Sequence, residues 1–201
     1  MRTETKTIKI YKFEELPESI QEKVIEKFRE NNLDYDWWNC IYDDFITICA
    51  ILGIETEHKK IFFTGFSSQG DGACFEGHYS YKKGSVKALK EYAPRDTDLF
   101  NIAKNLQDIQ KTAFYQLSAT VKHSGHYYHK YCTQINVIRN DNQEITNNQE
   151  NGIIECLRDL MQWLYKTLNA EYDYLQSDEA IKETIEANEY EYLENGKQYY
   201  I

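Results

Sequence analysis

The stretch 61–81, IFFTGFSSQGDGACFEGHYSY, constrains this chain more than any other. It is an apolar run, a Gly-rich polar turn, and a second run in which aromatic and small or polar residues alternate. Such a pattern predicts two antiparallel strands, 61–66 and 73–81, joined by the loop Ser67-Ser68-Gln69-Gly70-Asp71-Gly72. On the second strand Ala73, Phe75, Gly77, Tyr79 and Tyr81 share one face, and Cys74, Glu76, His78 and Ser80 share the other.

A second hairpin is expected over 114–139, with Leu117, Ala119 and Val121 facing Tyr131, Ile135 and Val137. Helical spacing places a helix after Pro17, with Ile20, Val24, Ile25 and Phe28 on one face, broken at 32–34. Further helices are expected at 35–52 (stopped by Gly53), from Ser85 to Pro94 with Ser85 as N-cap, at 96–112, at 153–175, and after Ser177. A short strand at 5–12 and a final hairpin around Asn195-Gly196 complete the pattern. The polar run 140–152 reads as a flexible connector. Helices lying between antiparallel hairpins, with no βαβ alternation, give an α+β class: an antiparallel sheet built from hairpins 61–81 and 114–139, packed with several helices. At 201 residues the chain suits one domain, 1–201.

Charge and cysteine usage narrow the function classes. The net charge is −10, and it is unevenly placed. Residues 171–194 hold nine acids against the single base Lys182, whereas 82–130 hold nine bases against four acids. This balance argues against direct nucleic-acid binding, while leaving a local anion site open. The acidic region 171–201 either keeps the protein soluble or imitates nucleic acid before a basic partner. No run of 18 apolar residues offers a membrane span, and the amino terminus lacks a signal-peptide core. Five scattered cysteines, none in CxxC spacing, suit reduced thiols and a cytoplasmic location.

One topological argument locates a site. Two helices between the hairpins return the chain to the sheet edge it left, so both hairpin tips point the same way. The loop with Ser67, Ser68, Gln69 and Asp71 then lies beside the second tip, HSGHYYH, which carries His126, Tyr127 and Tyr128. Backbone N–H groups, hydroxyls and an amide in the first loop suit an anion or a nucleobase; a tight glycine turn capped by aspartate explains the same residues. His123, His126 and His129, with Asp71 nearby, are candidate ligands for a divalent transition metal, His123 and His129 sharing a face across the ladder. That spacing matches no helical zinc signature. The loop is no Walker motif and no nucleophile elbow, and no catalytic residue is assigned.

The segments FFTGFSSQGDGACFEG, KGSVKALKEYAP and LSATVKHSGHYYHKYC resemble a group of small proteins from phages, prophages and other mobile elements, some loosely labelled antitoxins of a toxin–antitoxin stability system. The resemblance carries no catalytic residues. It implies a genomic setting in which accessory genes encode inhibitors of host defence or host enzymes. The leading expectation is therefore a non-catalytic binder of a bacterial host protein or a small nucleotide. A metal-dependent hydrolase acting on a nucleotide or phosphodiester, and a plain antitoxin-like interaction module, are the alternatives.

Overall fold

The computed structural model describes residues 1–4, 6–31, 33–141 and 143–200. Thr5, Asn32, Asn142 and Ile201, which fall in the expected first strand, helix break, connector and final hairpin, lie outside the described residues. In chain order the elements are β1 (Tyr11–Lys12), α1 (Glu18–Asn31), α2 (Asn39–Leu52), β2 (Ile54–Glu55), β3 (Ile61–Thr64), β4 (Gly72–Phe75) and β5 (Gly77–Ser80). There follow α3 (Ser85–Tyr92), α4 (Thr97–Thr112), β6 (Leu117–His123), β7 (Thr133–Arg139), α5 (Asn147–Leu175), α6 (Asp178–Ala187), β8 (Glu191–Tyr192) and β9 (Gln198–Tyr199). Helices and antiparallel sheets are mixed along the chain, so the fold is α+β.

Two compact units form: residues 38–169, and the chain ends 1–37 with 170–201. In the second of these, β1, β8 and β9 make a small antiparallel sheet. Phe13, Leu16, Val24, Ile25, Ile181, Ile185 and Tyr192 form its core. The hairpin turn at Asn195-Gly196 holds Gly196 at φ +81°, the left-handed value the Asn-Gly pair predicted. The expected strand at 5–12 pairs only at Tyr11 and Lys12.

The unit 38–169 carries an antiparallel sheet of order β2-β5-β6-β7 and a separate β3-β4 ribbon. The predicted strand 73–81 is thus two strands, broken at Glu76. Glu76 donates its N–H to the Lys60 carbonyl at 2.8 Å and closes the ribbon. Gly77 then passes so close to β2 that a Cβ there would lie 2.5 Å from the Glu55 carbonyl oxygen. The expected alternation also fails on β4, where every residue from Gly72 to Phe75 is buried. On the larger sheet alternation holds apart from the buried Ser118. Tyr79, Leu117, Ala119, Val121 and Val137 point into the core, opposite exposed His78, Lys122 and Asn136. In the second hairpin Ala119 pairs with Val137 and Val121 with Ile135, so these residues face one another as expected, but Leu117 pairs with Arg139 and Tyr131 falls outside the ladder and is exposed.

Helix α5 begins six residues before the predicted start, inside the run read as a connector. Thr146 and Gln149 form a reciprocal cap: Gln149 donates its N–H to Thr146 Oγ1 at 3.3 Å, and Thr146 its N–H to Gln149 Oε1 at 3.1 Å. Gly152 sits within the helix because a Cβ there would meet Ile109 Cδ1 of α4 at 2.7 Å. At the other cap revised by the structure, Gly84 at φ +84° precedes α3, with Ser85 its first helical residue. Ser177 caps α6 as expected, accepting from Ala180 N–H, and Asp96 caps α4, accepting from Leu99 N–H.

The helix layer is tied to the sheet by Gln110, fully buried on α4. Its Nε2 donates to the Leu117 carbonyl at 2.7 Å and to Tyr79 Oη at 3.2 Å, while its Oε1 accepts from Leu117 N–H at 3.1 Å. A buried amide that serves both backbone groups of one strand residue is costly to remove. Gln110→Ala is expected to destabilise folding by about 3 kcal/mol in urea denaturation, with an unchanged denaturant slope.

Candidate functional site at the paired hairpin tips

The two tips meet, as the topology predicts. β5 runs down beside β6, and the register Gly77–Val121 to Ser80–Ser118 sets the top of β6 next to Glu76. Glu76 Oε1 accepts the His123 N–H at 3.0 Å and fastens the second tip to the joint below the first. A Cβ on Gly70 would lie 3.0 Å from Tyr127 Cδ1, and one on Gly72 would lie 2.5 Å from His129 Cα. Glycine at both positions is therefore what lets the loops close on one another.

Inside the first loop, Asp71 organises the backbone. Its Oδ2 accepts the N–H groups of Ser67 and Ser68 at 2.9 and 2.6 Å, and its own N–H donates to the Ser68 carbonyl at 3.1 Å. Of the two readings the sequence left open, an anion-binding loop or a glycine turn capped by aspartate, these contacts are those of the second: the N–H groups are engaged by the carboxylate four or three residues on. What the loop presents outward is the exposed Ser67, Ser68 and Gln69 side chains. Tyr165 of α5 supports the loop from beside it, donating its hydroxyl to the Gly65 carbonyl at 3.3 Å and stacking on Phe66 at 5.5 Å. Burial, and then the Asp71 charge, raise the Tyr165 phenol above its ordinary value.

The second tip is an aromatic stack. Tyr128 lies on Phe62 with centroids 5.3 Å apart and planes 12° apart, and His123 packs against both. Tyr127 stacks on His129 at 6.4 Å and meets the His126 edge at 5.2 Å. Tyr128 is half-buried, whereas His126 and Tyr127 are exposed, Tyr127 to 51%. Tyr131 lies beyond them under the guanidinium of Arg158, 5.1 Å from its ring centre.

The histidines serve this scaffold individually. His123 Nε2 faces the Tyr127 carbonyl at 2.9 Å, which places a proton on that nitrogen. His129 Nδ1 accepts the Tyr131 N–H at 3.1 Å, so its Nε2–H is directed at Cys132 Sγ, 3.3 Å away. His129 also lies outside the β6–β7 ladder, where His123 pairs with Thr133, so the two histidines do not share a strand face. Asp71 points into its own loop. Among the described residues no three His, Cys, Asp or Glu side chains converge as a metal would require, and the set His123, His126, His129 and Asp71 is not brought together as ligands.

Cys132 and Arg158, absent from the sequence-based site, touch the tips, as does Glu76, whose carboxylate accepts a backbone N–H. The His129–Cys132 contact had a signal in its H-x-x-C spacing, which one tight turn closes (Cys132 N–H to His129 carbonyl, 2.8 Å). Beneath, Cys74 is fully buried; burial pushes its thiol up to about 12, with the neighbouring Cys132 and Glu76 charges adding to the rise. Beside Glu76 an open groove of about 490 Å³ runs over the outer sheet face between Glu55, Lys60, His78 and Lys122. Its charge is mixed, so it favours neither anion nor cation. In the other unit the acidic region is mostly exposed, with Asp178 paired to Arg29 and Glu183 accepting from Tyr174 Oη at 3.0 Å. No helix among the described residues is long and apolar enough to cross a membrane.

Two glycines separate close packing from backbone conformation as causes. Gly72→Ala drives a methyl group into His129 backbone and is expected to cost about 2–3 kcal/mol and to part the tips. Gly84→Ala has open space around it and only a positive φ to satisfy, so about 1 kcal/mol is expected. Thermal melts report the costs, and amide exchange at 67–72 and 124–132 rises in the first variant alone.

Comparison with known proteins adds a family and no further relative. No curated protein and no solved structure matches the chain. The family model described as "Domain of unknown function (DUF8835)" matches residues 37–178, which include the whole unit that bears both tips. The chain belongs to that family.

Proposed function

We propose that this chain is a non-catalytic binding protein of a phage or other mobile element, countering a bacterial defence or toxin system by engaging a host protein through the paired tips. The observation that carries this reading is Tyr127: half its surface faces solvent, yet Gly70, His126 and His129 hold its ring from three sides. An exposed aromatic side chain that is already ordered loses little conformational freedom on binding, which is the property of an interface anchor. His126, Gln69 and the serine hydroxyls around it supply adaptable polar contacts, as at tyrosine-rich binding loops. The tip surface is open, and its loop N–H groups at Ser67 and Ser68 are engaged, which favours a protein surface over a phosphate-bearing small molecule. Five free cysteines are in keeping with action in the reducing cytoplasm. Among the described residues no metal-ligand convergence supports the hydrolase alternative.

The test is capture of host proteins from bacterial lysate by the intact chain and by Tyr127→Ala, with melting curves confirming that the variant folds. A partner held by the wild type and weakened by about 30-fold in Tyr127→Ala, the loss typical of a central aromatic anchor, supports the proposal. A panel of signalling nucleotides in a thermal-shift assay provides the opposing arm. A nucleotide that raises the melting temperature, with the effect lost in Gln69→Ala, makes the tips a small-molecule site. Capture that is indifferent to Tyr127 and His126 overturns the role of the tips.

A further inference from the structure

Strand β7 closes the larger sheet on one side, and among the described residues no strand pairs with its outer edge. It is seven residues long, TQINVIR, with no proline and a single charge at its end. Edge strands of this kind are normally shortened, bulged, charged or covered. β7 has none of these protections along its centre.

The hydrogen-bond phase of the hairpin identifies which backbone groups are free. Asn140 N–H donates to the Gln116 carbonyl and Ser124 N–H to the Cys132 carbonyl, both at 2.8 Å. In an antiparallel ladder hydrogen-bonded pairs alternate with non-bonded pairs. The unbroken register between 117–123 and 133–139 therefore turns Gln134, Asn136 and Ile138 toward β6. It turns the N–H and C=O groups of Thr133, Ile135, Val137 and Arg139 outward. Among the described residues no hydrogen bond to these outward groups is formed by another part of the chain.

We infer that β7 pairs antiparallel with β7 of a second copy of this chain, joining the two sheets across a twofold axis at Asn136. The phase of the free groups requires outward-facing residues to oppose one another, and an axis at Asn136, the midpoint of the strand, is the register of that phase that pairs all seven residues. Centred on Asn136, Ile135 lies opposite Val137 of the second copy and Thr133 opposite Arg139, and all of these are outward-facing residues that exchange hydrogen bonds. The side chains are self-complementary in the same register. Ile135 and Val137 extend the apolar inner face, while Gln134 meets Ile138 and Asn136 meets Asn136 on the outer face. No charge opposes a like charge: Arg139, the charged member of the strand, already pairs with Asp141 at 3.0 Å and faces a threonine. This surface is distinct from the tips and does not depend on the function proposed for them.

Sedimentation of the full chain over a range of concentrations tests the inference, with three variants that read the register. Ile135→Pro removes an N–H that points away from β6, a position where an edge strand tolerates proline. It is expected to melt near the wild type while raising the dimer dissociation constant at least tenfold. Asn136→Lys sets two ammonium groups opposite one another and is expected to weaken the dimer at low salt, with recovery at high salt. Asn136→Cys is expected to form a disulfide-linked dimer on mild oxidation, because facing residues of a non-bonded pair have the Cα spacing a disulfide needs. Gln134→Cys, which faces Ile138 in this register, is expected to give no such link. A wild type that stays monomeric throughout, or a dimer unchanged by Ile135→Pro, overturns the inference, as does cross-linking at Gln134 in place of Asn136.

Discussion

Much of the unit 38–169 depends on the joint at Glu76 and Gly77. Here one run of chain leaves the β3–β4 ribbon and enters the larger sheet. The absent side chain of Gly77 admits the Glu55 backbone from one side, and the Glu76 main chain closes on Lys60. The Glu76 carboxylate then reaches across to the His123 N–H. Three segments distant in sequence are fixed within two residues. Without that joint, β5 would continue the ribbon, the top of β6 would be held by β7 alone, and the loops above would lose their common base.

The meeting of the tips was legible in the sequence because it follows from topology. Two hairpins separated by an up-and-down helix pair leave few ways to return to one sheet edge. The chemistry of the tips was less legible. Residue types named histidine ligands and left the first loop open between an anion-binding turn and an aspartate-capped one, because whether a donor is free depends on contacts a few ångströms long. Asp71 lies at the spacing that lets its carboxylate cap the preceding N–H groups, which is its role. Likewise His129 was counted on a strand face because alternation was carried through 129–132, where a tight turn actually interrupts it.

Composition misled elsewhere for a related reason. The run 140–152 is polar, yet Thr146-Asn147-Asn148-Gln149 is a capping box, a signal that outranks polarity at a helix start. Gly152 was the end of the run read as a connector; its place inside α5 is explained by Ile109 pressing against it from α4. The break of 73–81 had a sign too, since Gly77 inside a strand marks close backbone approach. Its meaning required β2, a two-residue strand too short to show any period.

A tip that presents ordered aromatics and an edge that presents free peptide groups are different kinds of recognition, yet in this chain they are contiguous. β7 begins one residue after Cys132, whose neighbours His129 and Tyr131 belong to the tip. The turn that directs His129 at Cys132 also sets the phase in which Thr133 enters the ladder, and hence which β7 groups face outward. Shifting that turn by one residue would point Ile135 and Val137 to solvent and Gln134 and Asn136 to the core, a change the buried Val137 forbids. The core packing of one valine thus constrains both the arrangement of the tip and the availability of the edge.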